Sequence, residues 1–357
     1  MYIALYDSNQ KHISNVTNIT YDKTERAYDM DSFSAEGVST DDIKQAKVIV
    51  VNDEYGNYRY ACFADSVTPK KKKCSIKGID FKTLWDTEIL LDYTADGSFN
   101  GKLSAIFTKV KELVFDIPDT AIHTIPVDVE IPTDNTDTTN FFGSYQGTYK
   151  ITNAYTFLKC YLKYYEYIIV TKFDVTSGRI KFSFVKKSSQ FSTAINLRDF
   201  IHELTTTTST TNKAVATIKH NTSNGARPTT ISTKYYFLTS QNSIVQSTEN
   251  GPTSGRMYPV RTKWFEAETL ADAQFDAVYE LANSRYVDNI VIDNNAITDP
   301  IDLSEYSLGT MLYLYYDGIS YKRLPISEKI TTLGAGGENI KIKLGYKKIL
   351  LTEIIKG

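Results

Sequence analysis

Cys74-Ser75-Ile76-Lys77-Gly78-Ile79-Asp80-Phe81-Lys82-Thr83-Leu84-Trp85-Asp86-Thr87-Glu88-Ile89-Leu90-Leu91 reads as a strand, a glycine break, one or two turns of helix and a second strand. Asp80 is placed to cap the helix, because its carboxylate can accept from the free amides two and three residues on. Phe81, Leu84 and Trp85 follow at i, i+3 and i+4, which puts them on one helical face. Gly78 supplies the backbone freedom that the strand exit needs. The stretch holds no catalytic pattern. It predicts a capped hydrophobic plug on a β-barrel, since Phe, Leu and Trp belong in a core more than in surface chemistry.

Upstream, short strands alternate with tight turns. Tyr2 to Tyr6 opens one, and Val48–Val51 and Tyr58–Phe63 flank the hairpin turn Asn52-Asp53-Glu54-Tyr55-Gly56-Asn57. Val67 and the tract Pro69-Lys70-Lys71-Lys72-Lys73 lead back into the opening segment. These strands and one short helix predict a small barrel.

Downstream the texture changes. Leu103, Ile106, Phe107, Val110, Leu113 and Val114 give Gly101–Phe115 a helical period, with Asn100 as its cap. Residues 116–148 read as a long loop with a strand at Val127–Ile131, and Thr152–Tyr164 as a second helix with Ala154, Tyr155, Leu158, Tyr161 and Leu162 on one side. Tyr167–Phe173 and Arg179–Val185 alternate about Thr176-Ser177-Gly178, a hairpin. Thr205–Thr211 is a threonine-rich run that fits a strand or a solvated loop, Ile231–Thr239 is strand-like, and Gly251–Gly255 is a break. Thr269 caps a helix whose apolar face is Leu270, Ala273, Ala277, Val278 and Leu281, with Asp272 three residues on. Strands at Met311–Tyr316, Tyr321–Ile326, Ile340–Leu344 and Ile349–Ile355 close the chain. The order is β, then α+β, then β with a helical insert, and no internal repeat is visible.

Composition excludes several function classes. The 357 residues exceed one ordinary core. Hydrophobic residues at 41% and charged residues at 23% suit a globular protein, and 26 tyrosines lean it towards β. A net charge of −2 disfavours tight, sequence-independent nucleic-acid binding. Cys62, Cys74 and Cys160 lack metal-ligand or redox-pair spacing. Cys62 and Cys74 flank a turn and could pair across strands, although free buried thiols and a reducing compartment fit the odd count better. The amino terminus does not read as a signal peptide, and no apolar run approaches the roughly 18 residues of a membrane span.

A search for chemistry returns no catalytic, cofactor or metal-binding set. His12, His123, His202 and His220 stand singly, without His-Glu-x-x-His spacing. No nucleophile elbow occurs. Gly334–Asn339 lies between strands, so it cannot aim a helix N-terminus at phosphate and reads as a turn. Asp134-Asn135-Thr136-Asp137 lacks the glycine and the bidentate glutamate of a calcium loop and reads as a flexible acidic loop. Lys70–Lys73 reads as a solvated turn.

The order of elements resembles a family. Lys77–Ile89, as Lys-Gly-Ile-Asp-Phe-x-x-Leu-Trp-Asp-x-x-Ile, is similar to the Gly-x-Asp-x-x-x-Leu-Leu segment that ends the first domain of phage tail hub proteins, the tail-associated proteins of long-tailed phages. The helix, long loop, second helix and hairpin that follow are similar too. Thr211-Asn212-Lys213-Ala214-Val215-Ala216 looks like the Thr-Asn-x-Val segment that starts the second barrel. Tyr235–Leu238, the helix Leu270–Asn283 and Lys343-Leu344-Gly345 with Leu351 fit in order. The resemblance covers nearly the whole chain and departs from the family at Trp85, where a small aliphatic residue is commoner.

The resemblance implies a mainly β fold with α+β content. A first antiparallel β-barrel of the tube type would span 1–97 and an outer α+β domain 98–190. A second tube barrel would take 191–250 and 298–357, around a helix-containing insert at 251–297. Gly78, Asp80, Phe81, Leu84 and Trp85 would mark the end of the first barrel. The family implies a homotrimer that presents six similar barrels to the tail tube and leaves a channel for DNA and the tape-measure protein. Its neighbours would be the distal tail ring and the tip, receptor-binding or fibre proteins. The protein would be made in the host bacterial cytoplasm and end in the virion tail tip, without enzymatic activity. The sequence ends at Gly357, after the hub region, which implies a hub without a C-terminal lysin or fibre. Three other readings remain: a hub or spike of a related bacterial contractile injection system, a cell-wall hydrolase with its site in the α+β part, and a glycan-binding tail protein using exposed Tyr and Trp.

Overall fold

Alternation along a strand decides where this molecule keeps its cores. The structure, a computed structural model, describes residues 1–38, 43–92, 101–116, 125–138, 149–187, 193–207, 211–218, 232–240, 243–267, 270–284, 287–293, 302–316 and 319–345. In the first β region, β1 (Tyr2–Tyr6), β2 (His12–Val16), β3 (Thr20–Arg26), β4 (Ser32–Val38), β5 (Val48–Asn52), β6 (Tyr58–Pro69) and β7 (Lys73–Ile79) pair in the order β2-β1-β5-β6-β7-β4-β3, all antiparallel. β5 is buried along its whole length. Ile49 and Val51 join Ile3 and Leu5 in a core inside this region. Val48 and Val50 join Ala4 and Tyr6 in a second core shared with the α+β unit. Successive residues of a strand point to opposite faces, so one valine-rich strand serves both cores.

The α+β unit contains β8 (Glu88–Asp92), α1 (Leu103–Lys111), β9 (Val127–Glu130), β10 (Tyr149–Asn153), α2 (Ala154–Tyr165), β11 (Tyr167–Asp174) and β12 (Arg179–Lys186). β11 and β12 form the expected hairpin, with Gly178 at φ 66 in its turn. β9 lies parallel to β12, and β8 pairs with β10. Leu103, Ile106, Phe107 and Val110 of α1 and Phe157, Leu158 and Tyr161 of α2 are buried between them. Asn153 caps α2 by accepting the Thr156 N–H at 2.9 Å. Lys102 holds the cap position of α1 without a side-chain bond, while Asn100 lies outside the described residues.

The second β region repeats the first. β13 (Thr193–Asn196), β14 (Ile201–Thr207), β19 (Val287–Asp293), β20 (Met311–Tyr316), β21 (Ile319–Gly334) and β22 (Gly337–Leu344) pair in the order β13-β20-β21-β22-β19-β14. The run β14-β19-β22-β21-β20 matches β3-β4-β7-β6-β5, strand for strand and antiparallel throughout. β6 passes from β5 to β7 through an irregularity at Ala64/Ser66, and β21 passes from β20 to β22 through one at Ile326/Glu328. A bulged strand that changes partners turns a corner in a β structure. The copies differ at the rim, where β1 is antiparallel to β5 and β13 is parallel to β20. Among the described residues neither region closes into a hydrogen-bonded ring. The two join edge to edge instead, β3 against β21, from Arg26↔Glu328 to Tyr21↔Leu333. The chain is thus mainly β with an α+β unit.

Between β14 and β19 lies a four-stranded sheet, β17-β16-β15-β18, of β15 (Lys213–Ile218), β16 (Thr233–Leu238), β17 (Ile244–Ser247) and β18 (Thr262–Ala267). α3 (Leu270–Asn283) packs Ala273, Ala277 and Leu281 against Ala214, Ala216 and Leu238. The strands over 213–247 therefore form a sheet of their own with β18, through β15, rather than joining the second β region, where the sequence reading placed them. Alternation marks a strand but does not name its sheet. Thr269 and Ile349–Ile355 lie outside the described residues. No helix among the described residues is long and apolar enough to cross a membrane.

Candidate functional site

The opening segment lies at a junction of three parts of the molecule. β7 runs through Gly78 without a break, and Gly78 does not adopt positive φ. Its need for glycine is spatial: a Cβ there would overlap Cys62 Sγ and stand 3.2 Å from Phe33 Cδ1. The helix is a single 3₁₀ segment, Phe81–Trp85, capped by Asp80, whose Oδ1 accepts the Lys82 N–H at 3.0 Å. Phe81 is fully buried and meets Phe63 of β6 edge-on at 4.8 Å and Phe173 of β11 at 6.3 Å. Trp85, equally buried, packs edge-on against Phe115, Phe182 and Phe184 at 4.7, 5.6 and 5.8 Å. These two aromatics fasten the first β region to the α+β unit. Leu84 is only partly buried, and the third buried side chain of the helix is Lys82.

Lys82 is the centre of the junction. Its Nζ lies 2.9 Å from Asp31 Oδ1 and 3.0 Å from Asp80 Oδ2, and it donates to the carbonyls of Arg26 and Asp29 at 2.9 and 2.8 Å. The Arg26 N–H donates to Asp31 Oδ1 and the Asp31 N–H to Asp80 Oδ2, which closes the network over the β3–β4 turn. The Lys82 and Asp31 side chains are 2% and 6% exposed. Burial pushes the Asp31 carboxyl up to about 7, against the pull of Lys82 and with the push of Asp80. Burial alone would lower the Lys82 pKa, but the Asp31 and Asp80 carboxylates raise it overall and keep the ammonium charged. Two carboxylates thus share one ammonium in a closed site, an arrangement that fixes a turn and offers no access to a substrate.

The same turn reaches the other two parts. Lys159 of α2 bonds Asp29 at 3.0 Å, and Lys187 lies 4.4 Å over the buried Tyr28 ring. On the side of the second β region, the Ala27 N–H donates to the Ser327 carbonyl at 3.0 Å. Glu328 is paired with Lys343 at 2.7 Å and approaches Arg26 at 4.0 Å. Tyr21 Oη donates to Glu338 at 2.9 Å. Lys329, its pKa lowered by burial, donates to the Ser304 and Tyr306 carbonyls. A polar cavity of about 250 Å³ lies along this seam between Tyr21, Glu25, Arg59, Lys329 and Glu338.

Sequence reasoning found Asp80, Phe81 and Trp85 through local spacing. It missed Arg26, Asp29, Asp31 and Lys82, because charges in a turn read as solvated and their pairing spans 51 positions between Asp31 and Lys82. Asp134 is anchored rather than flexible: it accepts from Tyr167 Oη at 2.7 Å and Thr136 N–H at 2.9 Å, bonds that hold its pKa below the usual carboxylate range. Lys70–Lys73 is the exposed turn from β6 to β7. All three cysteines are buried thiols outside any disulfide. His12 is exposed beside Asn15, and His123 and His220 lie outside the described residues. Among the described residues no three His, Cys, Asp or Glu side chains gather as a metal site.

No protein-family model matches the sequence, and no curated protein does. Three solved structures share the fold across the chain. The 43 kDa tail protein of prophage MuSo2 from Shewanella oneidensis is 15% identical with a TM-score of 0.55, over 96% of this chain and 98% of its own. The prophage tail protein gp18 from Listeria monocytogenes EGD-e is 14% identical with a TM-score of 0.53, over the whole of both chains. The tail protein from Neisseria meningitidis MC58 is 13% identical with a TM-score of 0.53, over 96% of each chain. This chain has the fold of those tail proteins from end to end.

Proposed function

We propose that this chain is a structural, non-catalytic protein of a phage tail, the homotrimeric hub of its tip or baseplate. The observation that carries the reading is the extent of the shared fold, which covers 96–100% of this chain in two prophage tail proteins and a third tail protein. The duplicated β region supports it further. Two similar units per chain let three copies present six similar surfaces to a sixfold tube, through head-to-tail contacts that close. In this reading the β regions extend the tail tube from the distal tail ring, and the α+β unit faces outward to the tip, receptor-binding or fibre proteins. The channel passes the tape-measure protein and DNA, and a net charge of −2 would not retain a moving polyanion. We propose the domain division accordingly, with the insert beginning near Thr211, where the separate sheet starts.

Light scattering on the purified chain, with threefold averaging of electron micrographs of tails that contain it, tests this reading. A trimer located at the tail tip is expected. A chain that stays monomeric inside assembled tails overturns it, and a cleared band for the purified chain on a peptidoglycan zymogram overturns the non-catalytic part.

A further inference from the structure

The sheet of the insert has two unlike faces. α3 covers the one that carries Ala214, Ala216, Tyr236 and Leu238. The alternate residues form the opposite face, and the ladders fix their places on it. Trp264 of β18, Val215 of β15 and Tyr235 of β16 stand in one row, and Glu266, Thr217 and Thr233 stand in the next. Val215 is fully buried, Tyr235 is half-buried and Trp264, on the outermost strand, is 60% exposed. The chain has two tryptophans, and the other, Trp85, is fully buried in a core. An indole as exposed as Trp264 adds little to the fold and is free to cover a ligand.

The polar groups beside it are set in advance. Thr233 Oγ1 donates to Tyr235 Oη at 3.2 Å, and Lys213 Nζ lies 5.3 Å from the Tyr235 ring, so the ring is held before any ligand arrives. Thr217 Oγ1 donates to the Ser232 carbonyl at 3.4 Å. Both threonines thus spend their protons inside the protein. Their oxygens remain as acceptors beside the exposed Glu266 carboxylate. A ligand for this row brings several hydroxyl donors.

The spacing narrows the choice. Two strand intervals set the Trp264 and Tyr235 backbones about 10 Å apart. That distance matches the disaccharide repeat of a β-1,4-linked sugar chain, in which alternate pyranoses present the same face. The weakly positive C–H groups of that face seat on the negative face of an aromatic ring. The acceptor row lies two residues along the strands, about 7 Å away, within reach of the hydroxyls of the same sugars. A protein partner fits less well. Two partly covered rings offer at most about 500 Å² of apolar surface, against the roughly 800 Å² that a stable complex covers on each side. A polyanion fits worst, because the two rows hold a carboxylate and no cation, and Lys213 is engaged with the Glu249 carbonyl at 2.9 Å.

We infer that this face binds an uncharged β-1,4-linked glycan, with one pyranose on Trp264, the next but one on Tyr235, and hydroxyls donated to Glu266, Thr217 and Thr233. The inference goes beyond the hub reading, which assigns this face no ligand. The test is the full chain, titrated with cellotetraose, the N-acetylglucosamine tetramer and, as the α-linked control, maltotetraose, and read by tryptophan fluorescence and calorimetry. Trp85 is fully buried, so a ligand-dependent blue shift reports Trp264. Expected are a shift with a β-1,4-linked tetramer, none with maltotetraose, and an affinity about tenfold lower in Trp264→Ala, whose unfolding midpoint stays that of the wild type. Tyr235→Ala should bind the tetramer no better than the disaccharide, because the second seat is gone, while Tyr235→Phe keeps the ring and the preference for the tetramer. No response to either β-linked tetramer at millimolar concentration overturns the inference, as does binding that Trp264→Ala leaves unchanged. Equal binding of maltotetraose overturns the assigned linkage, and a tetramer preference that survives Tyr235→Ala overturns the two-seat geometry.

Discussion

Lys82 shows how much one side chain can hold when it is buried. Its ammonium binds two carboxylates and two carbonyls at the turn where three parts of the molecule meet. Lys82→Met keeps the volume and leaves Asp31 and Asp80 facing each other without a counter-charge, so it should cost about 3–5 kcal/mol of stability in denaturant unfolding. Asp31→Asn should behave differently. The Asp31 carboxyl titrates near 7 when folded and near 3.9 when unfolded. Between those values the folded chain holds the extra proton, so this group's contribution is complete below about pH 4 and is lost as pH rises through about 7. Asparagine is neutral throughout. The stability of Asp31→Asn relative to wild type should therefore rise with pH across that window, by at most about 1.4 kcal/mol per pH unit, and level off above it. A difference that is flat from pH 4 to 7 would show that Asp31 stays ionised. Trp85→Ala removes a fully buried indole from between three phenylalanines and should cost about 3–5 kcal/mol. Leu84→Ala, at a partly buried position, should cost a fraction of that in the same unfolding assay.

Elements specified by local signals were legible in the sequence, and elements specified by their partners were not. The β11–β12 hairpin, α2 and α3 carry their period, turn or cap within a dozen residues, and the structure places them where the sequence does. The Asn153 cap is local too, but the sequence reading began the helix at Thr152 and did not single it out. Asn153→Ala should cost about 1 kcal/mol, seen as a lower unfolding midpoint and faster amide exchange in the first turn of α2. β21 shows the opposite case. The sequence reading ends that strand at Ile326, but it continues to Gly334. Ser327, Glu328 and Lys329 look like a solvated connection, and they are buried only because β3 and β22 flank them. Gly78 is similar, since the atom that excludes a side chain there belongs to Cys62, on another strand. Lys82 stayed hidden for the same reason: three of its four partners, Arg26, Asp29 and Asp31, belong to a turn some fifty residues upstream.

At the scale of the molecule, the edge-to-edge joining of the β regions separates what builds the proposed ring from what decorates it. Thr207, the last residue of β14, stands directly opposite Val287, the first residue of β19. The whole insert therefore leaves and re-enters the second β region across one rung of a ladder. Its own core draws on β15, β16 and α3, apart from the core of that region. Two antiparallel ends this close can be joined by an Asn-Gly type I′ turn. Replacing residues 208–286 with Asn-Gly should leave a soluble chain whose two β regions still unfold in one transition, because β3 still spans from the first region to the second. If the insert only decorates the ring, this shortened chain should associate as the full chain does by light scattering. Loss of association with the fold intact would place the insert in the contact between copies. Collapse of the fold would mean that the β14–β19 ladder depends on the sheet it carries.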